Sequence, residues 1–223
     1  TGDMEGEVTF SSDAVIREQQ WHAILPQFLG EIDQVPPMYS ALKKDGKPLY
    51  ELARAGIEIE RKARRITIVS LETLSFEYPN VLLKVRCSKG TYIRTLAEDM
   101  GKALGVGAHL SSLKRVGVGE LDIANAMTLE ELEAVPEEER AGVLLPLDAL
   151  LQNCPALHLS QTEAKRFIQG QRLKTDMADA QMVRVYWSNG GNESLIGLAG
   201  VSKNTLSPQK VLMTALPEQK GGL

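Results

Sequence analysis

The stretch from Val85 to Arg94, VRCSKGTYIR, constrains the fold more than any other part of the sequence. It is typical of a strand that turns over Lys89-Gly90 and then opens a helix, TYIRTLAEDMGKALG, which ends at Gly105. Thr91 is the predicted N-cap. Apolar residues recur at the spacing of one helical face, so that face is predicted to pack on a core: Ile93, Leu96, Ala97, Met100 and Leu104.

Tyr92 and Arg94 flank that apolar face within the first turn of the predicted helix. An aromatic ring and a guanidinium beside a basic turn suit a cleft that stacks a planar ring and holds an anion. A half-buried tyrosine and a surface arginine without such a role remain the alternative.

Composition excludes several classes of protein. The chain has 223 residues, 43% of them apolar, which is enough for one sizeable domain or for one medium and one small domain. Its two cysteines, Cys87 and Cys154, belong to no CxxC or Cys/His cluster, so we expect neither a zinc site nor a disulfide framework. The most apolar run, AGVLLPLDALL, is too short to span a bilayer. No P-loop, HExxH motif, nucleophile elbow or EF-hand loop occurs.

The charges are segregated along the chain although the formal net charge is −4. Residues 43–65 hold eight Lys or Arg against four acids, and residues 84–115 hold seven against two. Residues 130–148 hold seven acids and one arginine. A basic half and an acidic half make phosphate binding by one face plausible, with solvated lysines on helix faces as the alternative.

The segment from Gln34 to Ile66 has many cations and few large aliphatic residues, so we expect it to project from the body as an arm. The pattern predicts a strand at Met38–Leu42, a turn at Asp45-Gly46 and a short helix from Pro48 to Ala55. Cations interleaved with aromatics favour an RNA loop as the partner. An exposed hairpin with no partner is the alternative. The candidate RNA contacts are Tyr39, Lys43, Lys44, Lys47, Tyr50 and Arg54.

The remaining elements follow from local patterns. We expect a strand at Glu7–Phe10 and a helix from Ser12 or Asp13 to Phe28. Alternation predicts a strand pair at 65–76 and 81–87, and TLEELEAV predicts a helix capped by Thr128. From Pro155 onward, short strands around one helix, with turns at Gly170 and Asn189-Gly190-Gly191, predict a small β-barrel.

Three stretches carry a resemblance to a known family: TGDMEGE, QVPPMYSALKKDGKPLYELARAGIEI and CSKGTYIRTLAEDMGKALGVGAHLSSLKRV. In this order and spacing they closely resemble the TruB-type tRNA pseudouridine synthases, which isomerise a uridine in the TΨC loop at position 55. The resemblance covers essentially the whole chain. It implies an α+β fold with a mixed β-sheet catalytic core and flanking helices over residues 1–150, including the arm at about 34–66. Residues 151–223 would form a small PUA-like β-barrel.

The resemblance also implies roles for particular residues. Tyr92 resembles the residue that stacks on the flipped uracil, Arg94 the guanidinium that pairs with the catalytic aspartate, and Leu113 the apolar residue packed against the base. The arm would close over the T-loop of tRNA. Lys89, Lys114 and Arg115 are further candidate RNA contacts. We expect a cytoplasmic monomer that binds tRNA, contacts no membrane and needs neither metal nor cofactor.

One motif of the family is missing from this sequence. The catalytic aspartate lies in a GxLDPxATG-type motif upstream of the TGDxEG segment, and none of the 223 residues forms such a motif. Asp3 and Asp99 do not take its place. We therefore expect a fragment without its N-terminal part, inactive as an isomerase, with Arg94 loose or held by a substitute anion. The alternatives are a catalytically silent tRNA-binding protein and a small-molecule enzyme of mixed α/β fold.

Overall fold

The computed structural model describes residues 1–189 and 192–216 of the chain. The chain divides into two compact units, Thr1–Lys114 and Arg115–Leu223. The helices and strands are, in chain order, α1 Glu18–Ile24, β1 Gly30–Gln34, β2 Lys43–Lys44, β3 Lys47–Pro48, α2 Leu49–Arg54, β4 Arg64–Glu77, β5 Asn80–Cys87, α3 Ile93–Leu104, β6 Gly117–Val118, β7 Leu121–Asp122, α4 Leu129–Ala134, β8 Ala156–Leu159, α5 Gln161–Ile168, β9 Leu173–Lys174, β10 Ala180–Asn189, β11 Asn192–Ser202 and β12 Thr205–Val211.

The first unit is built on an antiparallel sheet in the order β1-β4-β5. The alternating apolar residues of β4 and β5 pair as the sequence predicted, with Leu71 opposite Val85. α1 and α3 pack their apolar faces on this sheet, because the buried cluster joins residues of both helices to β4. Its buried members are Trp21, Ile24, Leu25, Ile66, Ile68, Leu96 and Met100.

Three predicted elements of the first unit differ from the structure. Glu7–Phe10 forms no ladder, and Val8 and Phe10 are exposed. Met38–Leu42 is a series of bends, and the hairpin starts later, at β2. The predicted helix at 12–28 is regular only over α1, followed by a 3₁₀ turn at Leu25–Phe28 that Pro26 opens. Strand-like composition makes no strand where no partner edge pairs with the backbone.

The second unit contains a five-stranded sheet in the order β8-β10-β11-β12-β9, curled so that it resembles half of a barrel. Phe167 of α5, Val183 and Val185 of β10, and Ile196 of β11 are fully buried in its core. α4 is capped by Thr128 as predicted, and Glu131 completes the capping box. Gly190 and Gly191 of the predicted turn lie outside the described residues.

Candidate active site

The start of α3 lies at the end of β5 and carries both candidate catalytic residues. Thr91 was predicted as the N-cap, but the N-cap residue is Tyr92, with extended backbone angles (φ −100°, ψ 108°). Thr91 does not cap the helix. Its hydroxyl instead donates to the Ser88 carbonyl at 2.9 Å and so stabilises the turn over Lys89 and Gly90. The Tyr92 side chain makes no capping hydrogen bond to the first turn of α3.

Gln34, the last residue of β1, binds the backbone of Tyr92 on both sides. The Tyr92 N–H donates to Gln34 Oε1 at 2.8 Å, and Gln34 Nε2 donates to the Tyr92 carbonyl at 3.1 Å. The residue is only 3% exposed. Sequence reasoning missed Gln34, although it opens the quoted QVPPMY motif as the polar residue that precedes two prolines.

Arg94 is anchored through both terminal nitrogens of its guanidinium. Nη2 donates to the Tyr39 carbonyl at 2.8 Å, and Nη1 donates to the Thr1 carbonyl and to Asp3 Oδ2, each at 3.2 Å. The Arg94 and Asp3 side chains are 28% and 29% exposed. Arg94 is thus held by a carboxylate, and the TGDMEG segment supplies it.

Asp3 is itself fixed by the turn in which it lies. The Thr1 hydroxyl donates to Asp3 Oδ1. This hydrogen bond is the main cause that lowers the pKa of the Asp3 carboxyl, and desolvation opposes it. The Glu5 N–H and the Arg94 charge lower the pKa further. Next to it, the Gly2 carbonyl accepts from the Leu110 N–H at 3.0 Å. The Asp3 carboxylate therefore stays ionised beside Arg94 at neutral pH. The hydrogen bond from Leu110 also holds the chain three residues before Leu113 against this turn.

In the arm, the lysines are exposed to solvent and the leucine that begins the short helix is buried. Lys43, Lys44 and Lys47 lie on the β2–β3 hairpin and are exposed, whereas Leu49 of α2 is 4% exposed. The Arg54 guanidinium lies over the Tyr50 ring, 5.4 Å from its centroid. The predicted turn at Asp45-Gly46 and the short helix after it are both present.

The structure brings together some of the predicted site residues and not others. Tyr39 contacts Arg94 directly through its carbonyl, and Tyr92 lies two residues before Arg94. Leu113 is 64% exposed, and Lys89 and Lys114 are exposed as well. Within the described part of the chain, no hydrogen bond or ion pair ties these three to Arg94. Arg115 is exposed and belongs to the second unit.

Residues 1–189 and 192–216 contain neither a candidate metal site nor a candidate membrane span. No group of three or more His, Cys, Asp or Glu there is close enough to hold a metal ion. No helix in the same residues has the length and apolar character needed to cross a bilayer.

Three family models match consecutive parts of the chain. The TruB family pseudouridylate synthase N-terminal domain matches residues 1–93, the tRNA pseudouridylate synthase B C-terminal domain residues 94–152, and the pseudouridine synthase II TruB C-terminal model residues 155–212. These matches define a pseudouridine synthase with a PUA-like C-terminal part.

Curated relatives extend this result along the chain. The tRNA pseudouridine synthase B of Ralstonia nicotianae is 49% identical over 219 residues, covering 95% of this chain and 70% of the relative. That of Burkholderia mallei is 48% identical over 221 residues, covering 96% and 72%. The chain therefore belongs to the TruB family of tRNA pseudouridine synthases, which are isomerases.

Among solved structures, a Cbf5-Nop10-Gar1 complex contains a chain that superposes with a TM-score of 0.67 at 22% identity. The match covers 91% of this chain and 64% of that one. This likeness shows the fold alone, and it confirms the predicted α+β pseudouridine synthase fold.

Proposed function

We propose that the chain carries the uridine-binding side of a synthase that converts the uridine at position 55 of the tRNA TΨC loop to pseudouridine. The reaction breaks the bond from ribose C1′ to uracil N1, turns the base and joins C1′ to C5. C5 then loses its proton and N1 gains one, so that the product is an isomer of the substrate. The nucleotide has to leave its loop to reach a pocket of the protein. Family membership and the geometry around Arg94 support this assignment.

Unused donors on Arg94 are the observation that carries the proposal. In the described part of the chain two of its hydrogen bonds start at Nη1, one starts at Nη2 and none starts at Nε. The Nε–H makes no hydrogen bond there, and a bidentate carboxylate accepts from Nε and the neighbouring Nη2 of a guanidinium. Arg94 would bind the catalytic aspartate through them while Asp3 and the Tyr39 carbonyl hold it from the other side.

The neighbouring residues would act on the base and on the RNA. Tyr92 would stack on the extruded uracil and take up the C5 proton, and Leu113, which is largely exposed, would pack against the ring once it is bound. The exposed lysines of the β2–β3 hairpin would contact phosphates, with Tyr39, Tyr50, Arg54, Lys89, Lys114 and Arg115 as further contacts. We propose a monomer that works in the cytoplasm, with the catalytic domain over residues 1–150 and the PUA-like domain over residues 151–223.

Because its residues include no LDPxATG-type motif, we propose that the 223-residue polypeptide alone does not isomerise uridine. The test compares this polypeptide with the same chain joined at its N-terminus to a TruB-family segment that carries the motif, here called the extended chain. Each is incubated with unmodified tRNA, and pseudouridine is located in the product. The 223-residue polypeptide should give background only, and the extended chain should modify the T-loop uridine.

Two results would overturn parts of this proposal. Turnover by the 223-residue polypeptide would mean that a residue within it serves as nucleophile. An extended chain that binds tRNA but forms no pseudouridine would favour the alternative, a catalytically silent tRNA-binding protein. A matched control, the extended chain with the aspartate of its LDPxATG motif changed to asparagine, should bind tRNA and remain inactive.

A further inference from the structure

Both polar groups of the Gln34 side-chain amide form hydrogen bonds to the backbone of Tyr92, which lies 58 residues further along the chain. Its Oε1 accepts from the Tyr92 N–H and its Nε2 donates to the Tyr92 carbonyl. The residue is almost completely buried. A buried amide costs free energy unless its hydrogen bonds are made, so packing alone would favour an apolar side chain at this position.

These two bonds hold the N-cap residue of α3, whose own side chain makes no capping hydrogen bond. Gln34 Oε1 accepts from the N-cap N–H, as the N3 side chain does in a capping box. The Tyr92 carbonyl also accepts the first helical hydrogen bond, from the Leu96 N–H at 3.0 Å. The Tyr92 N–H, by contrast, lies ahead of the helix and its partner is Gln34. Holding both groups fixes the backbone dihedrals of Tyr92, and these dihedrals set the direction in which its ring leaves the chain.

The same segment also holds Arg94. Two prolines, Pro36 and Pro37, restrict the backbone between Gln34 and Tyr39, and the Tyr39 carbonyl accepts from Arg94 Nη2. One short stretch therefore clamps the backbone of Tyr92 at one end and the guanidinium of Arg94 at the other.

We propose that Gln34 is a positioning residue for the isomerisation. It holds the Tyr92 backbone so that the ring meets the extruded uracil in a productive geometry. This inference rests on the proposed function, since it takes Tyr92 as the residue that contacts the base. Gln34 itself touches no substrate.

The test has one readout that needs no activity. In the 223-residue polypeptide, Gln34→Met keeps the volume and removes both hydrogen bonds. Amide hydrogen exchange should accelerate at Tyr92 by at least about tenfold, while exchange at Ile66 and Ile68 in the core stays as in the unaltered chain. The control is Gln152→Met in the second unit, where Gln152 Nε2 donates to Asp148. It should leave exchange at Tyr92 unchanged.

The second readout separates positioning from folding in the extended chain. Gln34→Met should lower kcat on the order of 10-fold to 100-fold and change KM by less than about threefold, because a misplaced ring affects the transition state more than tRNA binding. Gln34→Glu should recover activity as the pH falls. A protonated carboxyl donates and accepts as the amide does, and burial raises the pKa of a glutamate above its usual value. The ratio of variant to unaltered kcat should therefore be larger at about pH 5 than at about pH 8.

Each outcome decides the proposal. Unchanged Tyr92 exchange and unchanged kcat in Gln34→Met would overturn it, and so would a loss of activity matched by faster exchange throughout the first unit. A Gln34→Glu ratio independent of pH would also contradict it. If the unaltered extended chain formed no pseudouridine, the proposed function would fail on its own, whereas a local change of exchange at Tyr92 would still show that Gln34 holds this backbone.

Discussion

An arginine–aspartate pair from each unit, Arg94–Asp3 from the first and Arg184–Asp148 from the second, shows the same chemistry in different surroundings. Arg94 and Asp3 are 3.2 Å apart, with more than a quarter of each side chain exposed. Arg184 and Asp148 are 2.7 Å apart, with 12% and 7% of their side chains exposed. The first pair lies at the start of α3 beside Tyr92, and the second joins β10 to the segment that precedes β8.

The buried pair is closed by its neighbours. The Tyr186 hydroxyl donates to Asp148, and Arg184 donates to the Cys154 carbonyl at 3.0 Å and to Gln152 Oε1 at 3.1 Å. Arg94 instead makes no hydrogen bond from Nε to the described residues, and 28% of its side chain is exposed. Removal of one partner of the buried pair would leave an uncompensated charge inside its unit, whereas more than a quarter of each side chain of the open pair is accessible to solvent.

The largest expected effect breaks the buried pair. Arg184→Met leaves the Asp148 carboxylate buried without its cation, so we expect the free energy of unfolding to fall by about 3–5 kcal/mol. The matched change Arg94→Met, at the open pair, should cost no more than about 1 kcal/mol. Urea denaturation of both variants measures the difference. Equal losses would erase the distinction between the two pairs.

A smaller effect concerns the packing of the helix that carries Arg94. A Cβ on Gly101 would lie far inside contact distance of the Gly107 and Ala108 backbone. Gly101→Ala should therefore lower the free energy of unfolding by about 1–3 kcal/mol. The control Gly142→Ala meets no atom within 4 Å and should be neutral or slightly stabilising. Thermal midpoints of the two variants test this, and a tolerated Gly101→Ala would mean that the contact yields easily.

Lowering the pH should destabilise the protein more through the buried pair than through the open pair. Hydrogen bonds from Tyr186 first and Arg184 second lower the pKa of Asp148 below its usual 3.8. A lowered pKa in the folded state stabilises the protein above the unfolded value, and this stability is lost as the pH falls below about 3.8. Asp148→Asn should flatten the dependence of unfolding on pH in that range. Asp3→Asn, at the exposed pair, should change it much less, and the opposite ranking would contradict the comparison.

The smallest effect on stability is expected at the arm. Replacing Lys43, Lys44 and Lys47 by Ala should leave the thermal midpoint nearly unchanged, since exposed charges contribute roughly 0–1 kcal/mol each. It should weaken tRNA binding and flatten its salt slope by about 0.7–0.9 per lost phosphate contact. The control triple Lys165→Ala, Lys203→Ala and Lys210→Ala removes the same charge from the second unit. Equal effects of the two triples would mean that total charge, and not the arm, governs binding.

Local patterns predicted much of the fold and little of the geometry around Arg94. The β4–β5 hairpin, the apolar face of α3 and the Thr128 cap follow from residues close together in the chain. The Gln34–Tyr92 and Asp3–Arg94 contacts join residues 58 and 91 positions apart. Hydrophobic periodicity does not reveal such a contact, because a side chain that bonds to distant backbone leaves no repeating pattern in the sequence. The strand predicted at Glu7–Phe10 failed for the same reason, since pairing depends on a partner elsewhere.

The most direct test of the account measures Arg94→Ala in the extended chain, with single-turnover rate and tRNA affinity determined separately. If Arg94 orients the catalytic carboxylate, the rate should fall on the order of 10²-fold or more while the affinity changes by less than about threefold. Arg54→Ala, on the arm, should give the opposite pattern, with weaker binding and an unchanged rate for bound tRNA. Loss of affinity with an unchanged rate in Arg94→Ala would make Arg94 a phosphate contact and contradict the account.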